Sequence, residues 1–266
     1  MGVCGRFGLA ALGIAGLMTL MPQHEHGDSL LDGISSGKTR VVDLSYAIND
    51  KLVPWPGDDK VFEAKVNATV EKNGYFTRSF WMLEHYGTHL DAPAHFPPGK
   101  ATVDQIESKK LFGPAVVLDV RAEAAKDADY LLSSAKIETW EKEHGKIPEG
   151  AVVLLRTGWA SRWPDVKKYR NQDAQGKMHF PGYSVEAARL LIERNVSGLG
   201  CDTLSIDYGA SEDFAVHHLV LGAGLYQLEN LANLSEVPEA GAFLVVAPIK
   251  LEGGSGGPAR VFALVK

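Results

Sequence analysis

The chain has 266 residues, enough for one large domain with a full hydrophobic core or for two small ones. Its composition, 45% apolar and 23% charged, is that of an ordinary globular protein, and a formal net charge of −6 argues against a nucleic-acid surface, which needs clustered Lys and Arg. No block of like charge marks an interaction tail, so a small, neutral or modestly charged molecule is the expected partner.

The chain begins with a single Arg6, followed by residues 7–21, apolar apart from Thr19, and by the polar stretch 22–28. That is the layout of a signal peptide whose apolar core is too short for a stable membrane span. The expectation is an exported, periplasmic protein; a cytoplasmic protein with a misplaced start is the alternative. Residues 1–39 read as signal peptide and disordered leader, carrying His24 and His26, and residues 40–266 as the functional domain. Cleavage would remove Cys4 and leave Cys201 alone, so no intrachain disulfide is expected. With no basic residue beside it, Cys201 reads as a buried, inert thiol at the entry or exit of a strand.

Strand-length runs follow at 41–48, 61–70, 75–83, 115–120, 151–156, 243–248 and 260–265. They are rich in Val, Leu, Phe or Tyr and bounded by Gly, Pro, Asp or Asn. Helices are expected at 134–143 and 184–195. In the second, Ser184 caps the start, Glu186 lies in the first turn, and Ala187, Ala188, Leu191 and Ile192 form an apolar stripe. A third helix is expected to start near Phe214 or His217 and run to Asn230, weakened by Gly222 and Gly224. Strands outnumber helices and alternate with them only in part. The expected architecture is a single α/β domain with a mixed β-sheet and outer helices.

The chemistry concentrates in the segment His85-Tyr86-Gly87-Thr88-His89-Leu90-Asp91-Ala92-Pro93-Ala94-His95, directly after the 75–83 strand. Gly87, Pro93 and Pro97 disfavour a helix there, and a sharply turning loop can gather His85, His89 and Asp91 around one point. Imidazoles and a carboxylate without thiolates suit Zn²⁺, with Mn²⁺ as the alternative; structural zinc sites are commonly closed by cysteines, so a catalytic metal is expected. His217 and Glu229 supply the extra ligands, provided that Gly222 and Gly224 break the helix between them, because positions twelve apart do not share a helix face. Trp55 and Trp159 are candidates to line an aromatic substrate pocket. Ser205 reads either as part of a proton path or as a buried strand serine. His218 is expected to hydrogen-bond behind the ligands, His179 to face the pocket or serve the structure, His144 to be a solvated helix end, and Arg156 to form an internal ion pair.

These residues resemble the cyclase-family metal hydrolases, the group that contains bacterial kynurenine formamidase and isatin hydrolase. The family signature His-x-Gly-Thr-His-x-Asp-x-Pro-x-His is matched at His85, Gly87, Thr88, His89, Asp91, Pro93 and His95. The likeness extends over most of the chain after residue 40, through Asp43-Leu44-Ser45, Pro56-Gly57-Asp58, Phe180-Pro181-Gly182, the block 202–207, His217-His218 and Glu229-Asn230-Leu231. The resemblance implies a swivelling β/β/α fold and a homodimer or homotetramer. His85, His89 and Asp91 match metal ligands, and His217 with Glu229 matches those completing a two-metal site in the formamidase branch. His95 matches the general acid/base, moving a proton between water and the departing nitrogen, work that suits a ring titrating near neutral pH. The implied activity is hydrolysis of an aryl formamide through a metal-activated water. Alternatives are a cyclic amide (isatin-type) hydrolase, a metal-dependent cyclase or dehydratase, and a non-catalytic small-molecule binder.

Overall fold

The continuous apolar run Val152-Val153-Leu154-Leu155 marks a strand buried on both sides, and the computed structural model places it in the middle of the main sheet. The structure describes residues 1–2 and 30–266; the signal-peptide reading of 7–21, with Cys4, His24 and His26, lies outside them. The strands among the described residues are β1 (Arg40–Asp43), β2 (Phe62–Ala68), β3 (Thr77–Met82), β4 (His89–Asp91), β5 (Phe112–Asp119), β6 (Leu131–Leu132), β7 (Val152–Arg156), β8 (Gly182–Tyr183), β9 (Gly198–Cys201), β10 (Tyr226–Glu229), β11 (Ala242–Pro248) and β12 (Gly256–Val265).

The main sheet has 8 strands in the order β1-β12-β11-β5-β7-β9-β10-β4, and β4 also pairs with β12, so the sheet closes on itself. β5, β7, β9 and β10 run parallel, and the flanking pairs are antiparallel, the mixed sheet expected. Side-chain alternation divides the apolar residues into two cores. Val117, Leu154 and Leu228 face one, with Leu90 and Val261; Val116, Leu118, Val153, Leu155 and Leu199 face the other, beneath the outer helices. Those helices include Ser134–His144, where Ser133 Oγ accepts from the Lys136 amide, and Val185–Glu193, where Ser184 Oγ accepts from the Ala187 amide. The runs at 61–70 and 75–83 pair only with each other, as the β2–β3 hairpin.

Three expectations need correction. The third helix is Ala215–Gly222 and stops well short of Asn230; Gly224 takes φ +80°, and the chain returns as β10 to pair parallel with β9. The histidine-rich segment is not wholly loop: His89–Asp91 is a strand held between β10 and β12, and Pro93–His95 is a single 3-10 turn. Part of the stretch read as a disordered leader, Leu30–Ser35, is a short helix, closed where the Thr39 amide donates to the Gly33 carbonyl (2.9 Å) and Ser36 Oγ to the Asp32 carbonyl (2.7 Å).

Candidate active site

Alternation along β4 buries Leu90 in one core and turns His89 and Asp91 to the opposite side. The antiparallel register places Glu229 opposite His89 and Gln227 opposite Asp91, so directly paired side chains share that side. Helix Ala215–Gly222 brings His217 to the same place. Its start is fixed by Asp207, which accepts from the Val216 amide (2.9 Å), the His217 amide (3.0 Å) and His217 Nδ1 (2.6 Å). One carboxylate therefore both caps the helix and turns His217 Nε2 towards Glu229 Oε1 (3.2 Å) and Asp91 Oδ2 (3.5 Å). His89 is oriented in the same manner: Nδ1 donates to the Gly87 carbonyl (2.9 Å), leaving Nε2 directed at Asp91 Oδ1 (3.2 Å) and Glu229 Oε2 (3.5 Å). Gly87 has φ +70°, a turn that glycine adopts without strain. His85 Nδ1 lies 2.6 Å from Asp91 Oδ1, and His95 stacks on the His85 ring at 3.9 Å.

The electrostatics favour positive charge at this point. His89, Asp91, His217 and Glu229 are all buried. Burial disfavours a charged His89 ring, yet Asp91 and Glu229 outweigh it and lift its pKa to about 9. His217 is raised too, against its own burial, by Asp207, Asp91 and Glu229. Asp91 is held well below the usual carboxylate range because the surrounding histidines overcome its burial, whereas burial and the Asp91 charge push Glu229 up. His95 departs from its near-neutral expectation: burial, with some help from the neighbouring histidines, lowers it to about 4.

Donor atoms converge in two groups, His85/His89/Asp91 and Asp91/His217/Glu229, each with its ligand atoms within 4.8 Å of one another. Asp91 belongs to both, and its Oδ2 is buried with no hydrogen-bond partner among the described residues. A buried carboxylate oxygen without a donor is costly unless a cation satisfies it, so these residues fit a divalent metal. The nitrogen and oxygen donors, without thiolate, are of the kind that Zn²⁺ and Mn²⁺ accept.

The groups open into a cavity of about 670 Å³ whose walls include Trp55, Phe96, Leu204 and Phe214. Phe214 lies 6.0 Å from Trp55 and 5.6 Å from Phe96, ring centre to ring centre. Trp55 and Ser205 thus stand at the cavity, Ser205 buried with its Oγ accepting from the Asp207 amide (3.1 Å). Trp159 does not line it: the indole is buried in a separate cluster, Nε1 donates to the Tyr169 carbonyl (2.7 Å), and Arg162 covers the ring. His218 is exposed and packs edge-on against Phe96 rather than bonding to the donors. His179 pairs with Asp129 (2.7 Å), His144 lies near Glu239 (3.6 Å), and Arg156 forms an internal pair with Asp119 (3.0 Å). Sequence reasoning passed over Asp207, Phe96 and Phe214 as functional residues. Asp207 could have been found as an acid preceding a His-bearing helix; Phe214, in a left-handed conformation at φ +48°, carries no such signal.

Comparison with known proteins accords with this geometry. A family model described as "Putative cyclase" matches residues 42–208. Isatin hydrolase of Roseibium aggregatum is 35% identical over 246 residues, 86% of this chain and 93% of that protein. Kynurenine formamidase of Bacillus cytotoxicus is 29% identical over 224 residues, 82% of this chain and 94% of its own. The solved structure of isatin hydrolase A from Labrenzia aggregata bound to benzyl benzoate superposes with a TM-score of 0.82 at 37% identity, covering 89% of this chain and 97% of that one. With the signature residues gathered around one buried carboxylate and the likeness spanning nearly the whole of these relatives, the chain belongs to the cyclase family.

Proposed function

We propose that the protein is a metal-dependent hydrolase of a small, neutral aryl amide, with a cyclic amide of the isatin type as the first candidate. The observation that carries this is the composition of the cavity. Trp55, Phe96 and Phe214 offer ring faces, Asp58 and Glu84 offer carboxylates, and no Lys or Arg lines it among the described residues. A flat aromatic ring finds apolar walls there, whereas a carboxylate on the substrate would find Asp58 and Glu84 in the walls and no Lys or Arg to pair with. The 35% identity to an isatin hydrolase supports the same choice. An aryl formamide is the second reading, favoured by Asp91, His217 and Glu229, the donors that match the two-metal formamidase branch.

His85, His89 and Asp91 would hold one ion, and Asp91, His217 and Glu229 a second; Zn²⁺ and Mn²⁺ both suit these donors. When bound, such an ion supplies Lewis-acid polarisation of the amide carbonyl and acidifies water. His95, stacked on His85 and outside both donor groups, is placed to accept the proton of the attacking water. Once protonated, the same ring returns the proton to the departing nitrogen, so the C–N bond opens to an amine and a carboxylate. The aromatic walls orient the substrate ring and exclude water from its faces.

The test is turnover of isatin, N-formylkynurenine and simple aryl esters by protein loaded with Zn²⁺ or with Mn²⁺. Isatin is expected to be opened fastest; preference for N-formylkynurenine would favour the second reading, and no hydrolysis in either metal form would return the chain to the binder or cyclase alternatives. Export rests on the apolar segment 7–21, and a homodimer or homotetramer on the family resemblance. Mass spectrometry of the mature chain from the periplasm and light scattering of the purified protein test these two points. Among the described residues no helix is long and apolar enough to cross a membrane.

A further inference from the structure

His85 is constrained by the packing of its ring and at both ring nitrogens. The ring lies against the backbone of Gly256, where a Cβ would come within 2.6 Å of His85 Cε1, and stacks on His95 at 3.9 Å. Nδ1 faces Asp91, and Nε2 lies 2.8 Å from Ser255 Oγ. Ser255, immediately before β12, donates twice to Glu84 Oε2, from its amide (2.8 Å) and from its hydroxyl (2.7 Å).

The direction of each hydrogen bond follows from this order. A carboxylate only accepts, so the single hydroxyl proton of Ser255 goes to Glu84. Ser255 Oγ can then only accept from His85, which places a proton on Nε2. Asp91 likewise only accepts, so without an ion Nδ1 also carries a proton, donated to Asp91 Oδ1 (2.6 Å). A bound ion would take the place of that proton, and with Nε2–H kept by Ser255 the lone pair it would meet is the one on Nδ1. We propose that Glu84 and Ser255 are positioning residues that fix His85 in its Nε2–H form and aim the Nδ1 lone pair into the metal site. The other two histidines of that site are set by nearer partners, His89 by the Gly87 carbonyl and His217 by Asp207. His85 instead depends on a carboxylate two hydrogen bonds away. The arrangement also explains the glycine at 256: a larger residue would push the ring out of line with Ser255.

The proposal rests on the metal-hydrolase reading, and Co²⁺ binding to the ion-free protein separates the two. Wild type, Ser255→Ala, Glu84→Ala and Glu84→Gln are titrated with Co²⁺ and followed by visible absorption, with far-UV circular dichroism to establish folding. Ser255→Ala and Glu84→Ala are expected to bind Co²⁺ about 10- to 100-fold more weakly, with altered bands. Glu84→Gln, which keeps a carbonyl oxygen for the Ser255 hydroxyl, is expected to stay close to wild type, a rescue that a merely space-filling role would not require. Wild-type affinity and spectrum in folded Ser255→Ala would overturn the proposal alone; should that variant not fold, the same result in Glu84→Ala would do so. Failure of wild type to take up Co²⁺ would overturn the metal-hydrolase reading, and this inference with it.

Discussion

Glu229 lies directly opposite His89 across the β4–β10 pair, and their side chains approach to 3.5 Å with both residues buried. Strand pairing, rather than a flexible loop, thus sets the spacing between the two donor groups. Glu229→Gln keeps the side-chain volume and removes the charge that draws a cation towards His217 and Asp91. The expected outcome is a folded protein that retains less metal after dialysis than wild type, measured by elemental analysis. Unchanged metal content would show that Glu229 is not a ligand.

His95 stacks on His85 but belongs to neither donor group. His95→Ala is therefore expected to keep its metal and lose about 10²- to 10⁴-fold in kcat, the usual worth of a positioned acid/base. Metal analysis alongside steady-state kinetics checks both halves. Near wild-type turnover in a metal-replete variant would remove His95 from the proton transfer.

Much of this site was legible because the signature compresses it: His85, His89, Asp91 and His95 lie in one short stretch whose Gly and Pro spacing disfavours an α-helix. The strand character of His89–Asp91 was not, since three residues carry too little periodicity and the pairing comes from β10 and β12, distant in sequence. β10 was misread for a related reason. Leu225, Tyr226 and Leu228 follow a helix without a proline between, and only pairing with β9 determines that they extend. Trp159 shows the limit of residue type as a guide. An indole near a strand end suits a pocket or a core equally, and here the Tyr169 carbonyl satisfies its N–H inside the core.

Gly256 carries a prediction about packing. A Cβ there would lie 2.5 Å from the Leu90 carbonyl oxygen as well as 2.6 Å from His85, and backbone cannot step aside as a flexible side-chain end can. Gly256→Ala is expected to cost about 1–3 kcal/mol of stability, typical of overpacking, and to impair turnover by moving His85. Gly222, in the last turn of its helix with open space around its Cα, is the control. Gly222→Ala is expected to be neutral or to stabilise by up to about 1 kcal/mol. Urea unfolding of both variants decides the matter; equal stabilities would mean that the close approach at Gly256 is readily relieved.

Part of the acid sensitivity can be assigned to a pair outside the active site. Arg194 donates to both carboxylate oxygens of Glu141, at 2.7 and 3.0 Å, and so ties the end of helix Val185–Glu193 to helix Ser134–His144. Hydrogen bonds from Arg194, and then from Lys146 and the Ile147 amide, draw the Glu141 pKa from 4.5 down to about 2. A carboxyl whose pKa is depressed by folding adds stability that is fully present above its unfolded value and is lost as pH falls through the folded value. The window is therefore from 4.5 down to about 2. Solvent screening reduces the gain to about 1 kcal/mol. Glu141→Gln should accordingly be less stable than wild type by about that amount at pH 7, with the gap closing as pH falls through the window. Urea midpoints of the two proteins at pH 7 and at successively lower pH provide the measurement. A gap that stayed constant with pH would assign the loss to packing of the side chain and not to its charge.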